Sequence, residues 1–336
     1  MSSAGWERGT ALAEGVEKLL DETRAARQGL LETDRSVISD NCRLPDASSP
    51  LRFLPTARAA FRLFIIEGTL CRKRERMREA VDAYCDAVAM ARLMGVQTLS
   101  AGAAPSLSSE RAVWVTLRSL AEDIPEEDLH YMAEKTTQIG QTRLSLDACL
   151  HAETDLLNRS LTSMSPKELA EEFKKSGIAL KAPIDRQELS ADLASYELRA
   201  GEWLESGLAG RHYQQEPRPK MEALNGWLPY LGSLWVLKQR TVTDFRLTLL
   251  SILLNEYWAE HGRFPDDLAL VSKNRGNLHI DPFADGLPLR YLRRADGCVI
   301  YSVGPDGDDD RGEVVYGAKR TLADGDIVCS IAKNEK

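Results

Sequence analysis

Asp306, Asp308, Asp309 and Asp310 place four carboxylates in the loop YSVGPDGDDDRG, close to the C-terminal end of a 336-residue chain. Like charges this close repel one another, so the loop calls for either a cation among them or free access to water. A hard cation and a solvated acidic turn are both open readings of the residues themselves. An EF-hand fits poorly, because counting from Asp306 the sixth position is Arg311 instead of Gly and the twelfth is Gly317 instead of Glu.

Other chemistry is sparse. HExxH, GxSxG, the Walker loop and the dinucleotide glycine fingerprint are all absent. His130, His151, His212, His261 and His279 are isolated, and the nearest approach to a proton-transfer pair is His151 with Glu153. Residues two apart on a helix point to different faces, which weakens that pair. The sequence therefore points to a non-enzymatic protein, and an enzyme would need a cleft assembled from distant residues.

Cys42, Cys71, Cys85, Cys149, Cys298 and Cys329 show no CxxC and no zinc-ligand spacing. Cys71 and Cys85 could face each other across a helical hairpin, although buried thiols are the plainer expectation. The dense basic cluster Arg72, Lys73, Arg74, Arg76 and Arg78 is either a phosphate patch or a solvated helix face, and Glu75 and Glu79 favour the latter. A net charge of −8 argues against nucleic acid as partner, since phosphate binding needs a basic footprint.

The elements that must position the acidic loop are a β-hairpin and a helix. Leu289, Tyr291 and Arg293 alternate with Arg290 and Leu292, and Val299, Tyr301 and Val303 alternate with Cys298, Ile300 and Ser302. Asp296-Gly297 between them has the backbone tolerance of a tight turn. A third strand is expected at Asp326 to Ile331, after Asp324-Gly325. Three short strands are marginal alone, so a helix must cover them. Val242 to Trp258 fits, with Gly262 and Pro265 as its stop.

That helix carries two apolar stripes, Phe245, Leu249, Ile252 and Leu253, and Leu247, Leu250, Leu254 and Trp258. Asp244, Thr248, Ser251 and Asn255 form the polar remainder. Two stripes need two partners, so the sheet should take one and the upstream helices the other.

Upstream of about residue 220 the chain reads as helices, with breaks at Pro45 to Pro55, Ala101 to Ser109, Asp123 to Pro125, Ser163 to Pro166 and Lys181 to Asp185. Ser165-Pro166-Lys167-Glu168 is a capping box with Pro at the first helical position. Gly68, Ala80, Tyr84 and Ala87 have the spacing of small and aromatic positions in a tetratricopeptide (TPR) repeat, and a generic helical hairpin shares that pattern. Gln214 to Pro229 is the connection. The expected fold class is α+β, with a helical region over 1–220 and a helix-plus-sheet module over 221–336.

The segment EYWAEHGRFPDDLALV, then DPF, a hairpin, YSVGPDGDDD and DGDIV resembles the soluble part of type II secretion major pseudopilins. The matching pieces are Tyr257, Gly262 to Pro265, Asp281 to Phe283, Tyr301 to Gly307 and Asp326-Ile327, across about the last third of the chain. The segment is also similar to the end of bacterial, planctomycete-type proteins that join helices to this module. The resemblance implies a calcium ion holding the loop after the second strand against the last strand. It assigns Asp306 and Asp326 as ligands and the Val303 carbonyl as a main-chain ligand, with Asp308, Asp309, Asp310 and Asp324 as further candidates. Oxygen-only donors suit calcium.

The resemblance also implies protein partners, such as other pseudopilin-like or envelope assembly subunits. It places the chain in the periplasm or on a membrane through an N-terminal anchor. Met1 to Leu20 contains no such leader, and no run of about eighteen apolar residues occurs. A cytoplasmic TPR-like adaptor, whose C-terminal module is a structural cap, is the alternative expectation.

Overall fold

The computed structural model describes residues 3–32, 50–95, 99–141, 143–175, 178, 185–205, 216–294, 296–313 and 325–333. Asp324, Cys42 and His212 lie outside the described residues, as do 45–49 and 181–184 of two expected breaks, whereas Pro50 to Pro55, also expected as a break, is helical with Pro55 inside the helix. Among the described residues the fold is α+β, mostly helical with one three-stranded antiparallel sheet.

The helices run α1 (Ser3–Glu32), α2 (Pro50–Lys73), α3 (Met77–Gly95), a π-turn (Leu99–Ala103), α4 (Ala104–Asp123) and α5 (Glu126–Gly140). They continue with α6 (Leu146–Ser163), α7 (Pro166–Lys175), α8 (Arg186–Glu205), α9 (Glu222–Asn225), α10 (Leu231–His261) and α11 (Ala269–Ser272). The break expected at Ala101 to Ser109 is largely helical. Pro105 sits in the first turn of α4, where a missing N–H costs nothing. The capping box forms as read, with Ser165 N–H donating to Glu168 Oε2 at 2.7 Å and Glu168 N–H to Ser165 Oγ at 3.3 Å.

α2 and α3 form a close hairpin. A Cβ on Gly68 would stand 2.7 Å from the Tyr84 ring, so only glycine admits that approach. Ala80 and Ala87 are fully buried beside it.

The strands are β1 (Arg290–Arg294), β2 (Gly297–Ser302) and β3 (Ile327–Ala332), in that spatial order with β2 central. Arg294 pairs with Gly297, so Gly297, expected in the turn, already belongs to β2. Its lack of a side chain serves another end: a Cβ there would overlap the Ile331 carbonyl oxygen of β3. Ala295 lies outside the described residues.

α10 is longer than the expected Val242 to Trp258 and ends as read, with Gly262 left-handed at φ 66° and its N–H on Trp258 O at 2.8 Å. It packs against α4 and α5 on one side and against β2 and β3 on another. Ile252, Leu253 and Leu250 join Ile300, Cys329 and Ile331 in one core with Trp114, Leu117 and Met132. A second core joins α6, α7 and α8 to α9 and to Leu231 and Leu234 at the start of α10. One helix therefore spans both cores.

The polar remainder of α10 is not its solvent face. Asp244, Thr248, Ser251 and Asn255 are each 2% exposed or less. Asp244 takes Arg111 and Arg118 of α4 at 2.6 and 2.9 Å, and Thr248 Oγ1 reaches Trp114 O at 2.9 Å. A second buried ion pair, Arg92 with Glu110 at 2.6 Å, ties α3 to α4, and Trp114 Nε1 donates to the same Glu110 oxygen. Unpaired charges at these depths would be costly, which explains why each has a partner.

Candidate functional site

The acidic loop leaves the buried end of β2 through a fixed frame. Asp281, 2% exposed, accepts three hydrogen bonds: Phe283 N–H and the Ser302 hydroxyl on Oδ1, and Val303 N–H on Oδ2. This carboxylate anchors the end of the central strand at the point where the loop begins. At Gly304, φ 71°, a Cβ would overlap the Gly325 carbonyl oxygen, so the chain before β3 lies directly against the loop.

Beyond that frame, one carboxylate oxygen each from Asp306, Asp308 and Asp310 comes within 4.8 Å of the others. Asp306 and Asp308 are exposed and Asp310 is half-buried. Asp306 also accepts Gly325 N–H at 2.6 Å, and Asp326 accepts Gly312 N–H at 2.7 Å, so the two sides of the loop are cross-linked by their own carboxylates. Burial pushes the Asp306 carboxyl above its ordinary range and the neighbouring Asp308 charge adds to this, against the Gly325 hydrogen bond. Burial raises Asp326 as well, with the charges of Asp309 and Asp310 adding to it.

The donor set fits a hard cation. All donors are oxygen, three converge, and Asp326, 5% exposed, keeps Oδ1 buried with no hydrogen-bond donor on it. Of the other expected ligands, Asp309 is diverted. Its carboxylate accepts the Tyr301 hydroxyl at 3.0 Å, Arg290 Nε at 3.3 Å and Arg311 N–H at 2.9 Å. Those bonds outweigh burial and hold its carboxyl below the ordinary value. Val303 has its N–H on Asp281. Asp324 cannot be placed, lying outside the described residues.

The remaining candidates resolve into surface and structural pairs. His151 Nδ1 meets Glu197 of α8 at 2.6 Å, not Glu153, and His130 Nδ1 meets Glu256 of α10 at 2.8 Å. These hydrogen bonds raise both imidazoles above their ordinary values. Four of the five cations in the basic cluster are paired with acids: Arg72 with Asp123, Arg74 with Glu17, Arg76 with Glu79 and Arg78 with Asp128. Cys71, Cys85, Cys149, Cys298 and Cys329 are free, buried thiols, and burial raises every one of them.

Sequence reading missed two constellations. The Asp244, Arg111 and Arg118 cluster joins residues more than 120 positions apart, and no local signal marks it. The second is a basic cavity between α5, α10 and the segment after α11. No protein-family model, curated protein or solved structure matches this chain.

Proposed function

We propose that this chain is a non-enzymatic structural and interaction protein of the bacterial cell envelope, with a pseudopilin-like module whose acidic loop is ordered by calcium. The observation that carries this reading is the convergence of Asp306, Asp308 and Asp310 where β2 hands over to the loop. Calcium would be held by those carboxylates, with Asp326 Oδ1 and the Val303 carbonyl as further oxygens; it accepts about six to eight. The ion offsets the mutual repulsion of the carboxylates and stiffens the ledge between β2 and β3. A stiff ledge presents a fixed surface to a neighbouring assembly subunit, because less ordering entropy is lost on docking.

Thermal melting in calcium, in magnesium and in chelator tests the site. Calcium in about hundredfold excess over its dissociation constant stabilises by about 2.7 kcal/mol. The melting temperature should rise with calcium selectively, and Asp308→Asn with Asp310→Asn should abolish the rise. Three superimposable curves for the unaltered chain remove calcium from the proposal.

The burial of α10 in both cores favours a second reading, a cytoplasmic TPR-like adaptor in which the sheet is only a cap on the helices. The close Gly68–Tyr84 hairpin supports it. A native reading frame encoding a membrane segment upstream of Met1 selects the envelope role, and translation starting at Met1 selects the adaptor.

A further inference from the structure

The cavity between α5, α10 and the segment 273–278 has a volume of about 540 Å³, within the size range of small-molecule sites. Its lining is lopsided in charge. Arg143, Arg246, Lys273 and Arg275 contribute to it and no Asp or Glu does, although the chain holds 51 acidic residues against 43 basic. Among the described residues, none of these four side chains has a carboxylate within salt-bridge distance. Compare the cluster Arg72 to Arg78, where four arginines are all paired with acids.

What does hold these cations is neutral. Arg246 donates to the Ile280 carbonyl and leaves Nε buried with no acceptor. Arg275 donates to Thr137 Oγ1 at 2.7 Å, and Arg143 lies 5.3 Å above the Phe245 ring. Asp281, the carboxylate whose charge reaches Arg246, already has both oxygens occupied by the β2 frame. Burial, with the Arg143 charge added, brings the Arg246 guanidinium down to about 10. Lys238, adjoining the cavity through Arg143, is lowered by the same two causes. An orphan guanidinium NH inside a cluster of like charges costs stability unless an anion arrives.

The wall is shaped as well as charged. Gly140 ends α5 where a Cβ would overlap the Phe245 ring, so the glycine lets that ring approach the helix closely and line the cavity with Leu249 and Leu278. Guanidinium forks match the geometry of phosphate oxygens, and several cations match a charge of minus two or more better than a single carboxylate.

We infer that this cavity binds a phosphate-bearing small molecule, with Arg143, Arg246 and Arg275 on the phosphate and the Phe245 side against the body of the ligand. The site is separate from the acidic loop and does not depend on the reading of that loop.

The probe is inorganic pyrophosphate, titrated calorimetrically into the full chain in chelator, so that no divalent ion links it to the acidic loop, with potassium chloride matched for ionic strength. Saturable binding at one site is expected, weakened at least about tenfold by Arg143→Gln and again by Arg275→Gln. Arg143 is exposed and Arg275 half-buried, so both changes should leave folding intact; circular dichroism checks this, and Lys273→Gln, exposed, serves as the third variant. Absence of binding above the chloride control overturns the inference. Equal affinity in all three variants also overturns it, and citrate binding as tightly as pyrophosphate overturns the assignment to phosphate.

Discussion

Replacing Asp281 should be among the most damaging single changes in the sheet module. Its carboxylate is 2% exposed and satisfies three buried donors at 2.6 to 3.0 Å. Asp281→Ala strands Phe283 N–H, Val303 N–H and the Ser302 hydroxyl, and each stranded buried donor costs about 1–3 kcal/mol. The serine hydroxyl can turn elsewhere and the effects are not additive, so the expected loss is about 3–5 kcal/mol. Asp281→Asn separates the contributions. Its carbonyl can replace Oδ1 and keep Phe283 and Ser302, while its NH₂ then faces Val303 N–H, donor against donor. The asparagine should therefore cost about half as much as the alanine, roughly 1–3 kcal/mol.

Urea titration read by tryptophan fluorescence suits the measurement, because Trp235 packs edge-on against Phe283, next to the anchor, at 6.2 Å between ring centroids. Circular dichroism recorded in parallel checks that both signals follow one transition, since a chain this long need not unfold in one step. An alanine variant within about 1 kcal/mol of the unaltered protein would refute the anchoring role, as would an asparagine variant no better than alanine.

Gly297→Ala tests the assignment of that glycine to strand packing. A turn glycine in a permissive conformation would lose about 1 kcal/mol or less, whereas forcing β3 away from β2 should cost about 2–4 kcal/mol and lower protection from hydrogen exchange at Cys298 and Ile331. Unchanged exchange there would sink the packing explanation. The His130–Glu256 pair gives a pH signature. The folded imidazole is raised above its unfolded value near 6.5, so its stabilisation is complete below about pH 6.5 and disappears as pH rises through the folded value. With His130 67% exposed, Glu256→Gln should lower stability by under about 1 kcal/mol at pH 6 and by nothing measurable at pH 9. A loss equal at both pH values would contradict the linkage.

Much of the local structure was legible in the residues. The capping box at Ser165, the glycine stop at Gly262, the alternation of β1 and β2 and the third strand are all set by neighbours within a few positions, which is the range that backbone conformation and short hydrogen bonds can see. The two stripes of α10 likewise announced two packing partners, because apolar area must be covered wherever it falls on a helix.

What those partners would be, and where each charge would end up, only the tertiary structure decided. Asp244, Thr248, Ser251 and Asn255 read only as the polar remainder between two stripes, because polarity is all a helical wheel records. Asp244 and Thr248 are satisfied by Arg111, Arg118 and the Trp114 carbonyl of α4, more than 120 residues away, while Ser251 and Asn255 donate to carbonyls of α10 itself. Asp309 looks identical to its neighbours in sequence, yet Tyr301 and Arg290 draw it out of the cluster that Asp306, Asp308 and Asp310 form. The cationic cavity gathers Arg143, Arg246 and Arg275 from three separate stretches of chain. Hydrogen-bond and ion-pair energies depend on distances of a few ångströms, and for residues far apart in sequence only the folded chain sets those distances.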